Sequence, residues 1–201
     1  MKLYASFLLT LTISSPIYAK SIAPNTVGPI ARIGKASHCM AFAISKNFLQ
    51  TSSDCVKIGY DDFPLEKEFI FKGKHKNYPV SIEAVFPSKK MAFLYLKDPV
   101  LSPLKRGFSD PKEIIYYDQR SGRDLKEKSR GQYFVKDDIL YHDFSTFEGL
   151  AGAPILNKKG DYMGMHLGTG WHKGKYWGIG SYHGKSFDVF KTVSYEPDVA
   201  N

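Results

Sequence analysis

Three features of this sequence predict an all-β fold. Short runs rich in Val, Ile, Phe and Tyr recur along most of the chain, Gly, Pro, Asn and Asp separate them, and helical periodicity is confined to one stretch near the C-terminus. Taken in order, the runs predict strands at Val27 to Ile33, His38 to Ile44, Phe48 to Ser52, Phe69 to Lys72, Val80 to Phe86 and Met91 to Leu96. A second series follows at Ile114 to Tyr117, Gln132 to Val135, Ile139 to His142, Pro154 to Asn157, Tyr162 to Leu167 and Tyr176 to Ser181. Residues 98 to 111 hold Pro99, Pro103, Gly107 and Pro111 and read as the connection between two halves, 27 to 98 and 112 to 185. Phe187, Phe190 and Val193 fall at three-residue spacing behind a possible cap at Ser186, which predicts a short helix over 186 to 194. So many short strands suit barrels or a sandwich, and neither an internal repeat nor a low-complexity tract interrupts them.

The N-terminus has a different character. Met1-Lys2 precedes an apolar stretch from Leu3 to Ile13, then Ser14-Ser15-Pro16-Ile17-Tyr18-Ala19. That is the shape of a signal peptide over residues 1 to 19, with cleavage after Ala19. The apolar run is shorter than the roughly 20 residues a spanning helix needs, and no later run is long and apolar enough to cross a membrane. A secreted or periplasmic protein is therefore expected. Removing the signal leaves residues 20 to 201, about 180 residues, enough for one domain with a substantial core or two small barrels packed together.

The formal charge is +8 and falls to about +7 without the signal. The local concentration of charge between Arg120 and Arg130 is interrupted by Asp124 and Glu127 and reads as a solvated surface loop. No nucleic-acid motif accompanies it, so a nucleic-acid partner is not expected. The chain has two cysteines, Cys39 and Cys55; in an exported protein an even count favours one disulfide, two buried thiols being the alternative. His166, His172 and His183 have spacings that match no metal-ligand motif, so no metal and no cofactor are expected. Trp171, Tyr176 and Trp177 form an aromatic cluster for which packing on a barrel wall is expected, with partner contact as the alternative.

Three separated segments resemble, in order, the trypsin-like serine protease family. His38-Cys39 to Ile44, running to Leu49-Gln50-Thr51-Ser52-Ser53-Asp54-Cys55-Val56, resembles the strand-turn-strand that ends in Thr-Ala-Ala-His-Cys-Val, with a disulfide across the same interval. Lys89-Lys90-Met91-Ala92-Phe93-Leu94-Tyr95-Leu96 resembles the Asp-Ile-Ala-Leu-Leu-Lys-Leu strand. Thr146-Phe147-Glu148-Gly149-Leu150-Ala151-Gly152-Ala153-Pro154 resembles the Gly-Asp-Ser-Gly-Gly-Pro turn. The stretch Asn157 to Gly168, with Gly164-Met165-His166-Leu167-Gly168, is similar to the Gly-Ile-His-Trp-Gly strand of bacterial glutamyl endopeptidases.

The resemblance covers roughly residues 27 to 192 and implies two packed six-stranded antiparallel β-barrels of chymotrypsin-like fold, a disulfide between Cys39 and Cys55, and a cleft between the barrels. It also implies that catalysis is lost. Asp54 falls where the family has its histidine, Lys90 where it has its aspartate, and Ala151 where it has its nucleophilic serine. An aspartate cannot act as the imidazole that shuttles protons near neutral pH, and alanine carries no oxygen to form an acyl-enzyme. Asp54 and Lys90 are expected to pair, since the family's residues at those positions touch. The oxyanion hole would consist of the backbone amides of Gly149 and Ala151 and survives the substitutions. By resemblance His166 lines the specificity pocket, and Leu167, Gly168 and Thr169 offer an edge to an extended peptide. The expected function is that of a non-catalytic protease homologue binding a protein or peptide. The alternatives are an active hydrolase using an unrecognised constellation, and a structural surface-binding protein with a filled cleft.

Overall fold

The computed structural model describes residues 26–33, 39–57, 69–73, 75–118, 123–128 and 132–182. The expected signal peptide and C-terminal helix lie outside them. Thirteen strands carry the described fold. The first half comprises β1 (Val27–Arg32), β2 (Cys39–Ala43), β3 (Phe48–Ser52), β4 (Phe69–Lys72), β5 (Asn77–Phe86) and β6 (Met91–Tyr95), joined antiparallel into a closed barrel in the order β1-β2-β3-β6-β5-β4. Alternation builds this barrel. In β4, Phe69 and Phe71 point inward and are buried while Ile70 and Lys72 are half-exposed, which is the period-two pattern of a strand with one dry face. Ala41, Ala43, Leu49, Val80 and Leu94 fill the same interior.

The second half comprises β7 (Pro111–Asp118), β8 (Arg123–Lys128), β9 (Tyr133–Lys136), β10 (Ile139–His142), β11 (Pro154–Asn157), β12 (Tyr162–His172) and β13 (Lys175–Tyr182), in the order β8-β7-β11-β12-β13-β10-β9. Six strands were expected here and seven are present. The extra one is β8, which falls in the stretch expected to be a loop. The two outermost strands, β8 and β9, are consecutive in the chain, from Lys128 to Tyr133. Such a link reaches at most roughly 17 Å. The ends of a flat seven-stranded sheet would stand roughly 29 Å apart. The sheet therefore curls until its two ends come near one another.

The barrels meet along an apolar seam. Val27, Phe42, Met91 and Phe93 of the first pack with Ile115, Leu156, Tyr162 and Met165 of the second, and the Phe42 and Tyr162 rings are 5.2 Å apart. The connection after β6 is stitched to both sides: Leu104 N–H donates to Ala43 O at 2.9 Å and Gly107 N–H to Tyr162 O at 2.8 Å. No helix among the described residues is long and apolar enough to cross a membrane.

Candidate functional site

Asp54 sits in the 3-10 turn Ser53–Cys55 that follows β3, with its backbone N–H held by the Ser52 hydroxyl at 3.3 Å. Cys55 is bonded to Cys39 at the start of β2, so the disulfide ties this turn to the barrel wall. Lys90 ends a second 3-10 turn, Pro87–Lys89, in the left-handed conformation at φ 53°. Its carbonyl accepts from Ser53 N–H at 3.2 Å, and its ammonium lies 4.0 Å from Asp54 Oδ2. Asp54 also has Lys57 at 3.3 Å, a partner that the sequence reading missed. All three side chains are substantially exposed, so water screens these pairs and each contributes little to stability.

The turn carrying Ala151 approaches from the second barrel. Ala151 O accepts from Met40 N–H at 2.7 Å, and Cys55 Sγ lies 3.8 Å from the same oxygen. Gly152 N–H donates to His166 O at 2.8 Å. Gly152 is required here: a Cβ would sit 1.9 Å from Met40 O, and its φ of +89° disfavours other residues. Gly149 also has a positive φ of 94°, between the buried Leu150 and the exposed Glu148. Neither Gly149 N–H nor Ala151 N–H has a hydrogen-bond partner among the described residues. Asp54, Lys90 and Ala151 thus converge at the seam between the barrels, from three segments far apart in sequence.

His166 is buried inside the second barrel, where sequence reasoning missed its partner, His142. His166 Nδ1 and His142 Nε2 are 3.1 Å apart, and Phe144 packs on the His142 ring at 4.7 Å. His142 pairs in register with Gly178, and His166 with Gly180, so both rings share the inner face with two glycines. Gly178 makes room for the His142 ring: a Cβ there would fall 2.0 Å from His142 Cε1. Burial, with the neighbouring imidazole adding to it, lowers the His142 pKa to about 3, and burial lowers that of His166 to about 4. Both rings are therefore neutral near pH 7 and share one proton across the contact. His142 Nδ1 has no partner among the described residues. The Leu140-x-His142 alternation, with Gly178 and Gly180 opposite, was the signal that could have revealed this site.

Beyond His166, a bulge at Leu167 shifts the register so that Thr169 continues the inner face. Thr169 pairs with Gly178, and its hydroxyl bonds to the Tyr176 hydroxyl. β11 pairs β12 only as far as Met165, whereas β13 accompanies it to His172. On the β11 side, residues 167–172 of β12 therefore form a strand edge without a ladder partner among the described residues. Trp171 and Tyr176 face each other at the hairpin end, 75% and 55% exposed, which corrects the expectation that they pack on the barrel wall. Trp177 does follow that expectation, half-buried against Phe134 on the outer face. Among the described residues no group of three or more His, Cys, Asp or Glu side chains is arranged to hold a metal ion, and His183 lies outside them.

No model of a known protein family matches the sequence, and no curated protein matches it. Solved structures do. A Glu endopeptidase in complex with MPD shares 16% identity at a TM-score of 0.64, over 84% of this chain and 89% of that one. The protease domain of MamO from Magnetospirillum magneticum shares 13% identity at 0.58, over 79% and 92%. The active form of the Rv3671c protease from M. tuberculosis shares 15% identity at 0.62, over 79% and 76%. At these identities the likeness defines the fold: the chain has the chymotrypsin-like fold of serine proteases.

Proposed function

We propose that this chain is an exported, catalytically inactive homologue of the trypsin-like serine proteases, and that it binds a protein or peptide along the former substrate cleft. The observation that carries the reading is Ala151 on the glycine-bordered turn, opposite Asp54 and Lys90. A side chain without oxygen offers no nucleophile, and the pair facing it is a carboxylate and an ammonium, neither of which shuttles a proton near neutral pH. What the substitutions leave intact suits binding. The amides of Gly149 and Ala151 are unclaimed by the described residues, and residues 167–172 of β12 have an edge that an extended peptide can join by main-chain hydrogen bonds. His166 and His142 are buried beside the point where β12 leaves β11, and Trp171 and Tyr176 are exposed at the end of the hairpin. Export is supported by the leader-like residues 1 to 19 and by the Cys39–Cys55 disulfide, a bond that persists in oxidising compartments.

The test is to incubate the full chain with a diverse peptide library and read both retention and cleavage by mass spectrometry. Saturable retention of a subset of peptides, with none of them cut, is expected. Cleavage that stays with the protein through repurification would overturn the assignment of an inactive homologue.

A further inference from the structure

The tip of the β12–β13 hairpin exposes two aromatic rings that neither barrel core takes up. β11 leaves β12 after Met165, and β10 pairs with β13 no further than Gly178, so the residues from Trp171 to Trp177 run past both neighbouring strands. The tip is nevertheless held. Lys173 and Gly174 form a two-residue turn with both residues left-handed, at φ 49° and 73°, which suits the twist of a hairpin.

Side chains alternate across the hairpin, and its two faces differ. On one face the His172 ring lies 5.2 Å from Phe134 and 4.6 Å from Tyr141, and Trp177 meets Phe134 at 5.1 Å. The Lys175 ammonium sits 4.2 Å from the Trp177 ring and donates to Gln132. On the other face Trp171 and Tyr176 pair across the strands, their rings 5.6 Å apart and both exposed. With one face packed on β9 and β10, the bare face is fixed toward solvent. The two rings stand at 68° to each other, so they offer no common plane on which a flat small molecule could stack.

The charge around them has one sign within the hairpin. From Tyr162 to Tyr182 the chain holds no Asp or Glu, and the tip adds Lys173 and Lys175 to a chain of formal charge +8. Both lysines are exposed, and Lys173 makes no ion pair among the described residues. Beside the start of β9, Asp143 accepts from Gln132 N–H at 2.9 Å and Asp110 from the Tyr133 hydroxyl at 2.5 Å, so both of these carboxylates have partners.

We propose that this hairpin tip docks the protein on an anionic lipid surface, with the Trp171 and Tyr176 rings entering the headgroup region and Lys173, at the turn, meeting lipid phosphate. Trp and Tyr suit that boundary because each has an apolar body and a polar edge, and a lysine beside them is drawn by the negative surface. A zwitterionic surface receives the rings but leaves the cations unmatched, which is the basis for selecting anionic lipid. The contact is shallow adsorption rather than a membrane span. It uses side chains of the tip, whereas peptide addition uses the backbone edge of β12, so the proposal does not rest on the peptide reading.

The experiment follows tryptophan fluorescence of the full chain on vesicles whose acyl chains carry bromine, a contact quencher. The chain has two tryptophans, Trp171 and Trp177, and residues 1 to 19 hold neither, so the signal reports the hairpin whatever else touches the bilayer. Saturable quenching is expected on equimolar phosphatidylcholine and phosphatidylglycerol, at least tenfold weaker in apparent affinity on phosphatidylcholine alone. Trp171→Phe keeps an exposed aromatic ring and should abolish the quenching, because Trp177 lies on the packed face. Lys173→Asn, which tolerates the left-handed turn, should weaken binding about fivefold, the effect of one lysine near an anionic surface. Absence of quenching on the anionic vesicles overturns the proposal and leaves the rings to a protein partner. Equal affinity for both vesicles, full quenching in Trp171→Phe or unchanged affinity in Lys173→Asn overturns it as well.

Discussion

The two barrels divide the labour of this molecule unequally. The first closes on itself with six strands, carries the Cys39–Cys55 disulfide and fills its interior with Ala, Val, Leu and Phe; it offers the cleft only exposed charges. The second is a seven-stranded sheet with β8 and β9 at its two ends, buries a histidine pair, and pushes a long hairpin with two exposed aromatic rings into solvent. The first has the composition of a part selected for stability. The second accepts polar burial and an open strand edge, both of which cost stability and both of which suit recognition.

The contrast can be broken most severely in the first barrel. Phe71→Ala removes a fully buried ring and should cost about 3–5 kcal/mol in urea denaturation, the usual range for a core Phe truncation. A loss under about 1 kcal/mol would mean that this core does not dominate stability.

Acid should act chiefly on the second barrel. The folded pKa values of His142 and His166 lie near 3 and 4, below the ordinary value of 6.5. Above pH 6.5 both states hold neutral rings, so the shift has no effect there. As pH falls below 6.5 the unfolded chain takes up protons that the folded chain refuses, and stability drops by roughly 1.4 kcal/mol per pH unit per histidine until the folded values are approached. Denaturation midpoints between pH 7 and 4 should show that slope, and His142→Gln should flatten it. A profile unaffected by the replacement would remove the pair from the account.

A smaller effect probes the same place. Gly178→Ala drives a methyl into the His142 ring and should destabilise by about 1–3 kcal/mol, as overpacking does. In a His142→Ala background the same change should be nearly neutral, and persistence of the full cost there would point to a backbone cause. Smallest of all, Asp54→Asn should change stability by less than about 1 kcal/mol, because its partners are exposed. A larger loss would show the pair to be structural.

Legibility followed the same division. Strands β3, β4, β10 and β11 coincide with their expected limits, because each alternates or buries both faces between turn residues. β8 was hidden: Arg123-Asp-Leu-Lys-Glu-Lys128 has the charges that protect a sheet edge, and an edge strand so protected resembles a loop in sequence. β12 and β13 run on to His172 and back from Lys175, past the core that gives alternation its meaning. The positions of Asp54, Lys90 and Ala151 were readable because short motifs surround them, and the expected Asp54 to Lys90 approach is present at 4.0 Å. His142 was not readable, because its role depends on Gly178 and His166, residues brought to it only by the curled sheet.

The central claim is that an extended peptide joins β12 without being cut. Amide hydrogen exchange of the full chain, with and without the peptides it retains from the library, tests this most directly. Slower exchange concentrated in residues 167–172, with the added peptides recovered intact, is the predicted result. Unchanged exchange across those residues, or recovery of the peptides as fragments, would contradict it.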